Sequence, residues 1–138
     1  MKRILYISIL ILATSFMCQA QKIEFQKVSA KEFHSLIVNE KNHLIIDVSR
    51  KIDHLDGHIK GAVFAETSEK LFSILDTTPN CKSILIYCKY GKRCQKASWL
   101  IAEKYPHKVF SLKKGMEDWV AKGFKLINEN NSTSIQNL

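Results

Sequence analysis

The chain has 138 residues, with 21 Lys and Arg against 13 Asp and Glu, and hydrophobic residues make up 46% of it. One domain is the default at this length, and the balance of apolar and charged residues is that of an ordinary folded chain. Composition and the lack of a fixed-period repeat argue against a disordered protein, a collagenous repeat, a solenoid and a small disulfide-stapled scaffold.

Met1-Lys2-Arg3 opens the chain with two cations, residues 4–13 are apolar apart from Ser8, and Cys18-Gln19-Ala20 follows. A basic start, an apolar core of about 7–15 residues and small residues near a cut site describe a secretory signal peptide. The apolar run is shorter than the ~20 residues of a spanning helix. Residues 1–20 are therefore expected to be a cleaved leader, and residues 21–138 an exported domain, periplasmic or extracellular, without stable membrane insertion. Lipidation at Cys18 is the rival reading, and it is weakened by Met17, where a small residue normally precedes a lipidated cysteine. Loss of Lys2 and Arg3 lowers the net charge of +8 by two. The remaining cations are spread along the chain, so nucleic acid is not expected as a partner, while anionic small substrates are. Cys81, Cys88 and Cys94 remain after cleavage. An odd number in an oxidising compartment leaves at least one thiol outside any internal disulfide.

Ile23-Glu24-Phe25 reads as a short first strand. Ser29 and Glu32 have the spacing of a capping box, and the helix they open is expected to run to about Asn39 with Phe33, Leu36 and Ile37 on one face. Leu44-Ile45-Ile46-Asp47-Val48 is a continuous apolar run ending near an acid, the signature of a strand buried on both faces. Ala62-Val63-Phe64 is a further short strand, and residues 68–75 a helix with Leu71, Phe72 and Leu75 inward. Ser83-Ile84-Leu85-Ile86-Tyr87 is the second strongly apolar strand. A helix over residues 95–104 with Ala97, Leu100 and Ile101 at core spacing follows a short polar loop. Lys108-Val109-Phe110-Ser111-Leu112 is another strand, and residues 116–122 a short helix with Trp119 inward and Gly123 closing it. Short buried strands separated by helices predict a single α/β domain: a central, mainly parallel sheet of about five strands flanked by helices on both faces. The core spans about residues 24–127, and residues 128–138 read as a frayed tail.

In such sheets ligands sit at the carboxyl ends of strands, which points to the loop after Tyr87. That loop is Cys88-Lys89-Tyr90-Gly91-Lys92-Arg93, with Cys94 at the start of the next helix. A loop curled before a helix N-terminus aims several N–H donors at one spot, where the helix dipole adds partial positive charge. Lys89, Lys92 and Arg93 add full charges, and Gly91 permits the sharp turn. Such settings lower a cysteine pKa to about 3.5–7.5, and the thiolate is the nucleophile. Cys88 is the candidate nucleophile, and residues Lys89 to Cys94 are the candidate cradle for an anionic substrate. The alternative for Cys88 is a buried structural cysteine.

The segment Ile86-Tyr87-Cys88-Lys89-Tyr90-Gly91-Lys92-Arg93-Cys94 resembles the active-site segment of rhodanese-type sulfurtransferases. Two further segments agree: Ile45-Ile46-Asp47-Val48 followed by Gly57-His58-Ile59-Lys60-Gly61-Ala62, and Gly115, Trp119 and Gly123-Phe124 near the end. The resemblance implies the family's parallel sheet, no cofactor and no metal. It also implies covalent catalysis in which Cys88 takes a sulfur from a small anionic donor such as thiosulfate and passes it from a persulfide to a thiol or cyanide. By the same analogy the loop amides hold the persulfide, and Lys89, Lys92 and Arg93 attract the donor. The sequence departs from the family pattern at Ser49, where arginine is usual; at Lys114, where glycine is; and at Cys94, where a small hydroxyl residue is common. A non-catalytic or thiol-redox module of the same fold, with Cys88 and Cys94 as a redox pair, is the alternative function.

Two roles are open for Cys94: a thiol that resolves a persulfide or sulfenic acid on Cys88, or a small packed residue opening the helix. Cys81, at a loop-to-strand junction, is expected to be structural. Four residues separate Cys88 from Arg93, one fewer than in phosphatase loops of this general type, which disfavours a phosphate ester. His54 and His58 are four apart, but Gly57 intervenes and no further ligands cluster nearby, so His58 is read as orienting a turn.

Overall fold

A computed structural model of the protein describes residues 24–128. The expected leader over residues 1–20 lies outside the described residues, as do residues 129–138 of the expected tail. The elements are β1 (Gln26–Val28), α1 (Ala30–Asn39), β2 (His43–Asp47), α2 (Lys51–Asp56), β3 (Val63–Phe64), α3 (Ser68–Thr77), β4 (Ser83–Tyr87), α4 (Lys92–Lys104), β5 (Lys108–Leu112) and α5 (Gly115–Ala121). All five strands are parallel, in the order β1-β5-β4-β2-β3. β4 is central, pairing Ile86 with Ile46 of β2 on one side and with Ser111 of β5 on the other.

Alternation along each strand divides the core in two. Ile46, Ile84, Ile86 and Val109 point to one face and pack with Leu71 and Leu75 of α3 and Ala97 and Ile101 of α4. Ile45, Leu85, Tyr87, Phe110 and Leu112 point to the other and meet Phe33 of α1 and Met116 and Trp119 of α5. All five residues of β4 are buried, which is why it runs Ile84-Leu85-Ile86-Tyr87 after Ser83, whose hydroxyl donates to Glu40 at 2.8 Å. Cys81 is buried within the first cluster, and desolvation raises its thiol pKa, in keeping with a packing role.

The capping box forms as its spacing predicts: the Ser29 hydroxyl accepts from the Glu32 amide, and the Glu32 carboxylate accepts from the Ser29 amide. Two elements differ from expectation. The first strand lies at Gln26–Val28; of the residues expected to form it, Glu24 and Phe25 stand outside the ladder and Ile23 lies outside the described residues. Val28 supplies its buried side chain, while Gln26 and Lys27 stay exposed on the sheet edge. Phe25 instead packs against the core from outside the ladder and meets Trp99 edge-to-face at 6.2 Å. The helix after β4 begins at Lys92, three residues before the expected start, for a reason that belongs to the site.

Candidate active site

β4 ends at Tyr87, and Cys88 is the first residue beyond it, at the carboxyl edge of the sheet. The loop that follows is gripped from outside by α5: the Met116 amide donates to the Cys88 carbonyl at 2.9 Å and the Glu117 amide to the Lys89 carbonyl at 3.3 Å. Gly115, at φ +68°, permits this approach, because a Cβ there would run into both carbonyls. Gly91 closes the loop at φ +83°, and a Cβ there would collide with the Lys113 carbonyl.

Gly91 is also the N-cap of α4, and it brings no capping side chain. The first turn carries Lys92 and Arg93 and no acid, which opposes the helix dipole. The missing acceptor is the Cys88 sulfur. The Cys94 amide donates to Cys88 Sγ at 3.4 Å, the amides of Tyr90 and Gly91 act on it as well, and the Cys94 thiol lies beside it, within donating distance of the Gly91 carbonyl at 3.2 Å. These donors, the Cys94 thiol foremost, outweigh burial and bring the Cys88 thiol down to about 6. Cys88 is therefore mostly thiolate at neutral pH. Within the same pair, the bond to Cys88 and burial push the Cys94 thiol up.

Cys88 is only 2% exposed, yet it lines a cavity of about 210 Å³ whose walls include Ser49, Arg50, Asp53 and Lys92. The residues expected to cradle a substrate occupy different places. Lys89 Nζ donates to Asp53 Oδ1 at 2.9 Å and also lies over the exposed Tyr90 ring. Lys92 is exposed on the cavity wall. The Arg93 guanidinium is engaged by the protein: its Nε donates to the Val48 carbonyl at 2.8 Å and an Nη to the Glu66 carbonyl at 2.9 Å. It ties the loop to the end of β2 and to the approach to α3. Cys94 is fully buried and does not line the cavity; it serves the loop through its amide and its thiol.

Three wall residues lie outside the loop on which the sequence reading concentrated. Asp53 accepts from Arg50 at 2.8 Å and from Lys89 at 2.9 Å. These two cations, Arg50 first, lower its carboxyl to about 2. The i,i+3 pair Arg50–Asp53 was the available signal for a helix there, but six residues are too few to show a periodicity. Ser49 is 1% exposed and its hydroxyl has no protein partner among the described residues.

The upstream signature holds this wall in place. Buried Asp47 accepts from the Ser49 amide at 2.8 Å and from His54 Nδ1 at 2.8 Å. The Tyr87 hydroxyl accepts from the Ile59 amide at 3.0 Å, and burial beside Asp47 raises its pKa. His58 stacks on His54, with ring centroids 4.2 Å apart. Its backbone pairs with Ile127 in both directions, at 3.0 and 2.8 Å. Among the described residues no three His, Cys, Asp or Glu side chains come together as a metal site.

The model of the rhodanese-like domain matches residues 29–122. Curated relatives include a tRNA uridine(34) hydroxylase of Buchnera aphidicola, 28% identical over 100 residues, 67% of this chain and 30% of that protein. One from Leptospira interrogans is 36% identical over 80 residues, 53% of this chain and 21% of that protein. The chain thus spans less than a third of the length of the curated relatives it matches. Among solved structures, a thiosulfate sulfurtransferase from Pseudomonas aeruginosa superposes with a TM-score of 0.68 at 18% identity, over 75% of this chain and 20% of that one. The rhodanese-like domain of an Anabaena protein does so with 0.62 at 27% identity, over 79% of this chain and 83% of that one. The matched stretch holds the Cys88 loop, both hydrophobic faces of β4 and every strand but β1, and the chain belongs to the rhodanese-like domain family.

Proposed function

We propose that the protein is a sulfurtransferase that carries a sulfane sulfur on Cys88. The observation that carries this reading is the Cys88 sulfur itself: a thiolate capping α4, ringed by the amides of Tyr90, Gly91 and Cys94, and facing a cavity large enough for a small anion. The thiolate attacks the outer sulfur of a donor such as thiosulfate; the donor's S–S bond breaks and sulfite leaves with the electron pair. The resulting persulfide keeps its negative charge on the outer sulfur. Loop amides stabilise that charge as fixed dipoles that need no reorganisation. An acceptor thiolate or cyanide then attacks the outer sulfur and restores the Cys88 thiolate, completing two-step nucleophilic catalysis.

Lys92 and the wall cations favour an anionic donor, and Ser49 presents a hydroxyl to it. The tRNA named for the curated relatives is not carried over, because most of each of those proteins has no counterpart in the matched segment. Export rests on the sequence of residues 1–20, and the N-terminal residue of the protein recovered from its host tests it: Gln21 supports cleavage after Ala20.

The test of the activity is a mass spectrum of protein treated with thiosulfate, together with turnover of thiosulfate and cyanide. One added sulfur on the Cys88 peptide, and its loss in Cys88→Ser, is the expected result. A wild-type protein that takes up no sulfur and turns over no faster than Cys88→Ser overturns the reading.

A further inference from the structure

The thiol of Cys94 has no place in the transfer steps beyond donating to Cys88, yet its surroundings are specific. Its sulfur is fully buried and lies 3.2 Å from the Gly91 carbonyl and 3.5 Å from the Leu112 carbonyl. The Ser111 hydroxyl donates to it at 3.2 Å. Its amide stands 3.4 Å from Cys88 Sγ, which puts the Cys94 Cα within about 5 Å of that sulfur once the N–Cα bond is added. The two cysteines are thus immediate neighbours across the loop.

The two sides of Cys88 differ. The cavity lies on one side, and any sulfur added to Cys88 must point into it. Cys94 does not line that cavity and packs instead against β5 beneath the loop. An outer sulfur would thus occupy the cavity and the Cys94 thiol a position outside it, with Cys88 Sγ bonded to the one and next to the other.

Resting on the persulfide reading above, we propose that Cys94 is a resolving thiol that gives the enzyme a second outlet: in the absence of an acceptor it expels the carried sulfur as hydrosulfide. The Cys94 sulfur attacks Cys88 Sγ, the bond from Cys88 Sγ to the outer sulfur breaks, and its electron pair leaves with that sulfur. The Cys94 proton ends on the departing sulfur, so a persulfide anion and a thiol become a Cys88–Cys94 disulfide and one hydrosulfide. The two cysteine sulfurs are oxidised as a pair and the outer sulfur is reduced. An external dithiol reductant then opens the disulfide and returns the resting state.

Electrostatics distinguishes the loaded state from the resting one. In the resting state the neighbouring Cys88 thiolate disfavours loss of the Cys94 proton, which the Gly91 carbonyl can accept as a hydrogen bond. Once loaded, the charge sits one atom further out, toward the mouth, and Cys88 Sγ becomes a neutral electrophile. The hydrogen bond from Ser111 is then available to support negative charge developing on Cys94.

The test loads the full-chain protein with thiosulfate, removes the excess without oxygen, and follows released sulfide and intact mass. Wild type and Cys81→Ser should release one hydrosulfide per loaded chain, and the Cys88 and Cys94 peptides should become linked. In Cys94→Ser, scored only over the chains that the mass spectrum shows to have loaded, sulfide release per loaded chain should be lost and the persulfide should persist. Equal release by wild type and Cys94→Ser, or release that leaves both cysteines open to alkylation, overturns the proposal while leaving the persulfide reading intact. Failure of the wild-type chain to take up sulfur on Cys88 overturns both, and is read at the loading step.

Discussion

Asp53 Oδ1 accepts a hydrogen bond from Lys89 Nζ at 2.9 Å, while its other oxygen accepts from Arg50 Nε at 2.8 Å. One buried carboxylate thus joins a loop lysine to the wall of the Cys88 cavity. Its pKa, lowered to about 2 chiefly by Arg50 and then Lys89, lies below the ordinary carboxylate value of about 3.9. The sign follows: the ionised form stabilises the fold above the unfolded value, and that contribution is lost as pH falls through about 2. Asp53→Asn should lower Tm at pH 7 by about 4 °C, the equivalent of roughly 1 kcal/mol for a domain of this size. The gap between variant and wild type should close between pH 4 and pH 2 in thermal melts. A constant gap across that range would mean that packing, rather than charge, holds Asp53.

The Cys88 thiol, lowered to about 6 by the Cys94 thiol and the loop amides, should be visible in its reactivity. Alkylation by iodoacetamide is expected to be constant above pH 7 and to fall toward tenfold per unit below 6, because only the thiolate reacts. Cys94→Ala removes the leading donor, and the midpoint should rise toward the about 8.5 of a free thiol. Cys94→Ser should hold it near the wild-type value. A midpoint unmoved in Cys94→Ala would assign the shift to the amides alone.

Much of this arrangement was legible in the sequence, and the reasons differ by element. β2 and β4 announce themselves because their middle residues are buried on both faces, so Leu44-Ile45-Ile46 and Ile84-Leu85-Ile86 run apolar. α1 was placed to the residue because its capping box is written in Ser29 and Glu32. α4 was placed late, since its cap is a sulfur six residues upstream and its first turn holds cations where acids are usual. No rule of local sequence reports a cap that arrives from the end of a strand. The cavity wall formed by Ser49, Arg50 and Asp53 was hidden for a related reason: it is assembled by β2 and α2 across the sheet from the loop. Arg93, expected at the donor, lines the Cys88 cavity, and its guanidinium also ties the loop to the carbonyls of Val48 and Glu66. Charge alone did not report that second, bracing tie.

Ser49 offers the reverse case, a buried hydroxyl that the protein leaves unpaired on the cavity wall. A polar group in that state loses nothing within the protein when it is removed, because no hydrogen bond is broken. Ser49→Ala should therefore leave Tm unchanged or slightly raised. If the hydroxyl meets the donor, the KM for thiosulfate should rise by about 2–10-fold, the worth of one neutral hydrogen bond, with the maximal rate of cyanide discharge unaltered. An unchanged KM would remove Ser49 from the binding site.

Gly91 and Gly123 form a controlled pair, because both hold left-handed backbone, at φ +83° and +80°, and only their surroundings differ. A Cβ on Gly123 meets nothing within 4 Å, so Gly123→Ala carries only the conformational cost of about 1–2 kcal/mol. Its Tm should fall by several degrees, with kcat intact. A Cβ on Gly91 meets the Lys113 carbonyl, which cannot move without shifting the segment that joins β5 to α5. The loop must give way instead, and the amides of Tyr90 and Gly91 then swing off the Cys88 sulfur. Loss of such preorganised donors lowers turnover by about 10²-fold or more. Gly91→Ala should therefore lose activity far beyond its loss of stability, and its Cys88 alkylation midpoint should move up. Equal effects of the two substitutions on turnover would show that the left-handed turn matters only for folding, and that the thiolate does not depend on where the loop amides point.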